Sequence, residues 1–170
     1  QRPPLAHPTN VTALQLSRDG NRVVTGCADG TIRVWIAATG KLAMPSMNHG
    51  GGVIWLALSS DEQWIASAGA NRLVRIWDAA SGSERTTPLP HEKVPWFVAF
   101  SPDGRSLLSC SSEPVPGDWN KLRGEVRLWD AVTGKPLTHP LRHEGDIGPI
   151  TGAEFSPDSR TIIVGCISSL

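Results

Sequence analysis

Self-similarity at a fixed spacing constrains this 170-residue chain more than any other feature of it. His7, His49 and His91 stand 42 residues apart, and His143 follows after 52. Trp35, Trp77 and Trp129 keep the same intervals, 42 and then 52. Two unrelated residue types on one beat define a structural unit that repeats, and periods of about 20 to 50 residues belong to solenoids, propellers and arrays. The units are 7–48, 49–90, 91–142 and 143–170. Ser109 and Trp129 are 20 residues apart where Thr25 and Trp35 are 10 apart, so the insertion in the third unit falls within 112–123. A smaller one, of three residues, lies between His143 and Asp158.

Within a unit the pattern has period two, the mark of half-buried strands. Unit one runs Val11-Thr12-Ala13-Leu14-Gln15-Leu16, a turn at Asp19-Gly20, Arg22-Val23-Val24-Thr25, a turn at Asp29-Gly30, and Thr31-Ile32-Arg33-Val34-Trp35 before a weaker fourth segment. Asp-Gly between alternating runs signals a tight hairpin, because Gly accepts positive φ and Asp tolerates it. No stretch has the spacing of a convincing helix. The expected fold is therefore all-β, built from four-stranded antiparallel units with the tryptophans on the third strand of each.

Composition narrows the partners. Sixteen Lys and Arg balance sixteen Asp and Glu, so no net field draws nucleic acid or an anionic membrane toward the chain. The longest apolar run, Val53 to Leu58, is far below the roughly 20 residues that span a bilayer. Three cysteines, Cys27, Cys110 and Cys166, form neither an even set nor a close pair, which argues against a disulfide framework or a zinc knuckle and points to a reducing compartment, the cytoplasm.

Units of about 40 to 45 residues that close their third strand with Trp-Asp, here Trp77-Asp78 and Trp129-Asp130 with Trp35-Ile36 as a departure, resemble the WD-repeat β-propeller family. A His before the first strand and the turns Ser101-Pro102-Asp103-Gly104 and Ser156-Pro157-Asp158 strengthen the likeness, and segments such as 130–137 look like the repeats of large bacterial multidomain proteins. The resemblance implies blades of a propeller, present as about three and a half blades of a longer ring, whose open strand edges would invite self-association. It also implies a hydrogen-bonded chain of His, Ser or Thr, Asp and Trp in each blade. Unit one matches in full with His7, Thr25, Asp29 and Trp35. Unit two offers His49, Ser67, Asn71 and Trp77, and unit three His91, Ser109 and Trp129 with Arg123 where the acid would stand. On this reading the first blade is the stiffest and Asp29 matters more than Asn71, since a carboxylate holds an imidazole more strongly than an amide does.

Ser, His and Asp recur with the period, whereas a hydrolytic nucleophile is singular and stands beside an oxyanion site, so a structural tie is the favoured reading. His139 and His143 lack the cysteine pair of a zinc site, and no phosphate-loop or dinucleotide motif is present. No metal and no cofactor are expected. Arg33, Arg75 and Arg127 share one strand position and read as side chains flanking an outer strand. The resemblance implies a non-catalytic protein-interaction scaffold that binds another protein or a domain of the same polypeptide. The alternatives are a regulatory or substrate-recruiting part of a larger kinase-like or peptidase-like enzyme, or a propeller hydrolase. Trp96 at the start of a first strand and Trp119 in the inserted segment, flanked by Asn10, Ile54 and Val94, form the candidate binding patch, because Trp is enriched at interface hot spots. The competing reading buries Trp96 between blades and folds Trp119 back onto its own blade.

Overall fold

The structure, a computed structural model, describes residues 4–115, 118–142 and 147–168. Every regular element among them is a strand. β1 (Val11–Leu16), β2 (Arg22–Cys27), β3 (Thr31–Ile36) and β4 (Lys41–Leu42) form one antiparallel sheet in chain order, with β5 (Met47–Asn48) pairing further along β3. β6 (Val53–Leu58), β7 (Trp64–Gly69), β8 (Leu73–Asp78) and β9 (Leu89–Pro90) repeat that order. So do β10 (Pro95–Phe100), β11 (Ser106–Val115), β12 (Asp118–Asp130) and β13 (Leu141–Arg142), while β14 (Ile147–Phe155) and β15 (Ile162–Ser168) form a two-stranded fourth sheet. The tryptophans of the repeat lie on the third strands, β3, β8 and β12.

The weak fourth segment of each unit is a broken strand. In blade two a lone bridge from Trp77 to Glu84 precedes β9, and in blade three one from Trp129 to Pro136 precedes β13. Pro45, Pro88 and Pro140 fall in the gaps, and proline has no N–H to give the ladder. The hairpins between first and second strands are by contrast identical in plan. The Ser17 hydroxyl donates to Asp19 at 2.6 Å and accepts from the Arg22 N–H at 2.8 Å, and Ser59, Ser101 and Ser156 repeat the pattern with Asp61, Asp103 and Asp158. The Ser17 bond, before all other influences, holds the Asp19 carboxyl down at about 2. The left-handed position in this turn is Gly20 and Gly104 in blades one and three, but Glu62 (φ 58°) and Ser159 (φ 61°) in the other two. There the strained residue reaches the preceding blade: Glu62 accepts from the Arg18 N–H, and Ser159 from the Asp103 N–H at 3.1 Å.

The inserted segment is strand on both sides of its turn. Its residues prolong β11 and β12 as a two-stranded arm, pairing Ser112 with Gly124, Glu113 with Arg123 and Pro114 with Leu122. Added residues balanced on both sides of a turn keep the antiparallel register, so the ladder continues instead of opening. Pro116 and Gly117 lie outside the described residues.

The core lies in the seams between blades. Val24, Ile32 and Val34 of blade one meet Val53, Leu56, Ile65 and Trp77 of blade two. Ala66, Val74 and Ile76 on the other face of blade two meet Val98, Leu107 and Trp129 of blade three, and Leu108, Cys110 and Val126 meet Ala153, Phe155 and Ile162 of the fourth sheet. Period-two alternation thus supplies two apolar faces, one for each neighbour. Gly26 allows the closest approach: a Cβ there would overlap Val53 and lie 3.3 Å from Leu56 Cδ1. The first strands β1, β6 and β10 lie against one another in turn and form the hub, whereas β14 rests on β11 and β12.

Candidate functional site

Three buried polar chains tie the blades. In blade one Trp35 Nε1 donates to Thr25 Oγ1 at 2.9 Å, Thr25 Oγ1 lies 2.8 Å from His7 Nε2, and His7 Nδ1 lies 2.9 Å from the Leu5 carbonyl. A carbonyl only accepts, so Nδ1 carries the proton and Nε2 accepts from the threonine hydroxyl. Blade three repeats this with Trp129, Ser109, His91 and the Leu89 carbonyl, at 2.9, 2.7 and 3.1 Å. In blade two the ring is reversed. His49 Nδ1 meets Ser67 Oγ at 2.7 Å, its Nε2 lies 3.1 Å from Asn71 Oδ1, and Trp77 Nε1 donates to Ser67 at 2.8 Å. Asn71 Nδ2 returns a bond to the His49 carbonyl at 3.3 Å.

Gly69 explains the reversal. A Cβ at this position would overlap the His49 ring at Cδ2 and Nε2. Blades one and three carry Cys27 and Ser111 there, and their histidines take the other orientation, packing on Trp35 and Trp129 with ring centroids 5.0 and 5.4 Å apart. His49 and His91 are buried, and burial, the largest influence on each, pushes both imidazoles down to about 4. The Arg75 charge adds to this at His49.

The expected bond between Asp29 and His7 is not made. Asp29 is exposed and accepts from the Thr31 N–H at 2.9 Å, the bond that chiefly lowers its carboxyl, because the nearby Leu5 carbonyl already takes the imidazole proton. His7 is half-buried where His49 and His91 are buried. Blade three also holds a carboxylate the repeat pattern missed. Glu125, on β12 at the position of Thr31 and Leu73, is buried and ion-paired with Arg127 and, at 2.9 Å, with Arg142 Nε. Burial raises its carboxyl, and the two arginines outweigh that and hold it below the usual range. Its one signal was an acid in a strand position that is otherwise uncharged. The Arg123 side chain and His143 lie outside the described residues.

Hydrolytic chemistry finds no foothold in these chains. The hydroxyls of Thr25, Ser67 and Ser109 are buried and bonded on both sides, with no face open to a substrate. Among the described residues no three His, Cys, Asp or Glu side chains gather as a metal site. The recurrent arginines are packed: Arg75 and Arg127 lie over Trp77 and Trp129 at 5.9 and 5.8 Å and pair with Glu84 and Glu125, and Arg33 Nη1 lies 3.5 Å from Cys27 Sγ.

The predicted binding patch is divided. Every first strand bulges at the position of Trp96, between Val11 and Ala13, Val53 and Trp55, Pro95 and Phe97, and Ile150 and Gly152. A bulge re-aims its side chain. Thr12 uses the turn to reach the Val53 carbonyl of blade two, and Trp96 uses it to pack, half-buried, on the seam between blades three and four. Asn10 is exposed and Ile54 and Val94 are half-buried, while the Trp119 side chain lies outside the described residues. The structure brings forward a different residue. Trp55, on the hub strand β6, is 38% exposed, and its ring lies 5.3 Å from Phe97, which in turn lies 5.8 Å from Trp96. Trp55 and Phe97 share one register position with Ala13 and Gly152, so two large aromatics on the hub were the available clue.

Antiparallel four-stranded blades, stacked through apolar seams with their first strands at a hub, define a β-propeller architecture. Residues 4–35, 44–78 and 82–130 match the family model "WD domain, G-beta repeat". The chain belongs to the WD40 repeat family. Among solved structures, the computationally designed Ika8 protein is similar with a TM-score of 0.74 and 26% identity over 95% of this chain, which spans 44% of Ika8. The computationally designed Ika4 protein gives 0.70 and 25% over 96% of this chain and 94% of its own. No curated protein matches the chain.

Proposed function

We propose that this chain is a non-catalytic scaffold whose hub aromatics hold another protein or another domain of the same polypeptide. WD40 repeats typically mediate protein–protein interaction, and the observation that carries the reading to this surface is Trp55, exposed beside Phe97 on the hub strand β6. A large rigid aromatic offers contact area at little entropic cost. The Trp119 arm is the second element proposed for this surface. Affinity capture with the wild-type chain and with Trp55→Ala tests the reading: the variant loses its bound protein while its unfolding free energy stays within about 1 kcal/mol of wild type, below the cost of a buried-core truncation. Capture that survives the substitution removes Trp55 from the role.

A further inference from the structure

Among the described residues, Glu62, Arg72 and Ser159 hold a left-handed backbone without being glycine, at φ 58°, 65° and 61°. Such strain persists only where the surroundings impose it, and it clusters at binding sites and switches. Two of the three have a visible use inside the chain. Glu62 accepts from the Arg18 N–H and pairs with Arg22 at 3.5 Å, and Ser159 accepts from the Asp103 N–H at 3.1 Å, so each joins its blade to the preceding one. Arg72 is different: its side chain is exposed and, among the described residues, meets no acid, no acceptor and no ring. Its counterpart in blade one is Gly30, where a Cβ would lie 2.8 Å from the Gly51 carbonyl and no side chain fits.

The cations around Arg72 are already matched. Arg75 pairs with Glu84, Lys93 with Glu113 at 3.3 Å, and Arg142 with both Glu125 and Glu92. Glu92, the acid at the entry to blade three, is therefore held elsewhere. The Arg72 backbone is fixed by its neighbours: the Ala70 N–H donates to the Gly52 carbonyl at 2.8 Å, and the Arg72 carbonyl accepts from the His91 N–H at 3.0 Å. The residue thus stands at the end of the propeller where β6 and β10 begin, the strands that carry Trp55 and Trp96.

We infer that Arg72 is the polar anchor of the surface around Trp55, and that the occupant is a segment of a partner protein bearing an Asp or Glu carboxylate beside an apolar side chain. A guanidinium fork matches a carboxylate in two parallel bonds, and the exposed tryptophan takes the apolar neighbour. Zero net charge on the chain supplies no field for a nucleic acid, so the single unmatched cation is read by a protein side chain. This inference rests on the scaffold reading and names the chemistry of its partner.

The test uses a phage-displayed library of random peptides, selected on the full wild-type chain, on Arg72→Gly and on Trp55→Ala, with urea denaturation of each. Wild type is expected to enrich Asp or Glu next to an apolar residue. Arg72→Gly should keep the apolar preference, lose the acidic one, and bind a peptide selected on wild type about tenfold more weakly, as the loss of a hydrogen-bonded charge pair predicts. Its urea midpoint should stand at or above that of wild type, because glycine takes a left-handed turn without strain. Peptides enriched in an apolar residue alone, or an acid preference that survives Arg72→Gly, overturn the inference and leave the scaffold reading in place. A lowered midpoint for Arg72→Gly also overturns it, since the side chain is then structural. Enrichment unchanged by Trp55→Ala removes Trp55 from the site but not Arg72, and no enrichment on wild type overturns both readings.

Discussion

Blades one and two carry nearly the same polar set at the same positions, yet they wire it differently. His7 sends its Nδ1 proton to a backbone carbonyl two residues earlier and leaves Asp29 in solvent, whereas His49 turns its other nitrogen to Asn71 and encloses it. The side chain opposite the ring makes the difference: Cys27 in one blade, no side chain at Gly69 in the other. A histidine in a repeat is thus satisfied by whichever acceptor the local volume permits, and the acid of the family pattern is dispensable where a carbonyl lies within reach.

Acidification should strain the enclosed networks most. The folded-state values of His49 and His91, about 4, lie below the unfolded value near 6.5. The folded state therefore binds fewer protons in this window, so the stability these neutral rings support is present above about pH 6.5 and lost as pH falls toward about 4. The loss is up to about 3 kcal/mol for each ring. Urea midpoints measured from pH 7 to pH 4 should fall through that window, and a flat profile would refute the neutral, enclosed state.

Removing the central hydroxyl separates the two blades next. Ser67→Ala leaves Trp77 Nε1 and His49 Nδ1 buried without their partner and should cost about 2 to 3 kcal/mol, while Thr25→Ala, beside the half-buried His7, should cost about 1. Equal shifts in chemical denaturation would erase the distinction. Asn71→Ala should cost about 1 kcal/mol, and Asp29→Ala, at an exposed turn residue, less than that. The same denaturation series decides that order, which reverses the ranking expected from the residue types alone.

Gly69→Ala addresses the cause directly. Its methyl overlaps the ring seen in blade two, so His49 should turn to the arrangement of His7 and His91, with its proton moved from Nε2 to Nδ1. Nitrogen-detected NMR of the imidazole reads that change of tautomer, and the accompanying loss of the Asn71 bond should be about 1 kcal/mol. An unchanged tautomer would separate the ring orientation from Gly69.

How far the networks could be read in advance follows from their separation along the chain. The Trp-to-hydroxyl bonds join adjacent strands at a constant offset, so Trp35 with Thr25, Trp77 with Ser67 and Trp129 with Ser109 follow from spacing once the insertion is placed. The imidazole's second bond depends on shape: on Gly69 beside His49, and on a carbonyl at Leu5 or Leu89 that no residue type announces. Glu125 was hidden because its position in the other units carries Thr31 and Leu73, so no repeat rule expected an acid there. Spacing alone leaves Trp96 either on a surface patch or between blades, and the bulge, a backbone feature, sets it half-buried on a seam.

The period, the number of strands in a complete blade, the hairpin turns and the place of the insertion were all set by local rules. Alternation, turn residues and spacing act over a few residues and are written directly in the chain. Tertiary packing decided which histidine nitrogen carries the proton, that the insertion is a paired arm, and that Trp55 is open while Trp96 is packed. Those outcomes depend on which face meets which neighbour and on the volume left between them, quantities that arise only when blades are stacked.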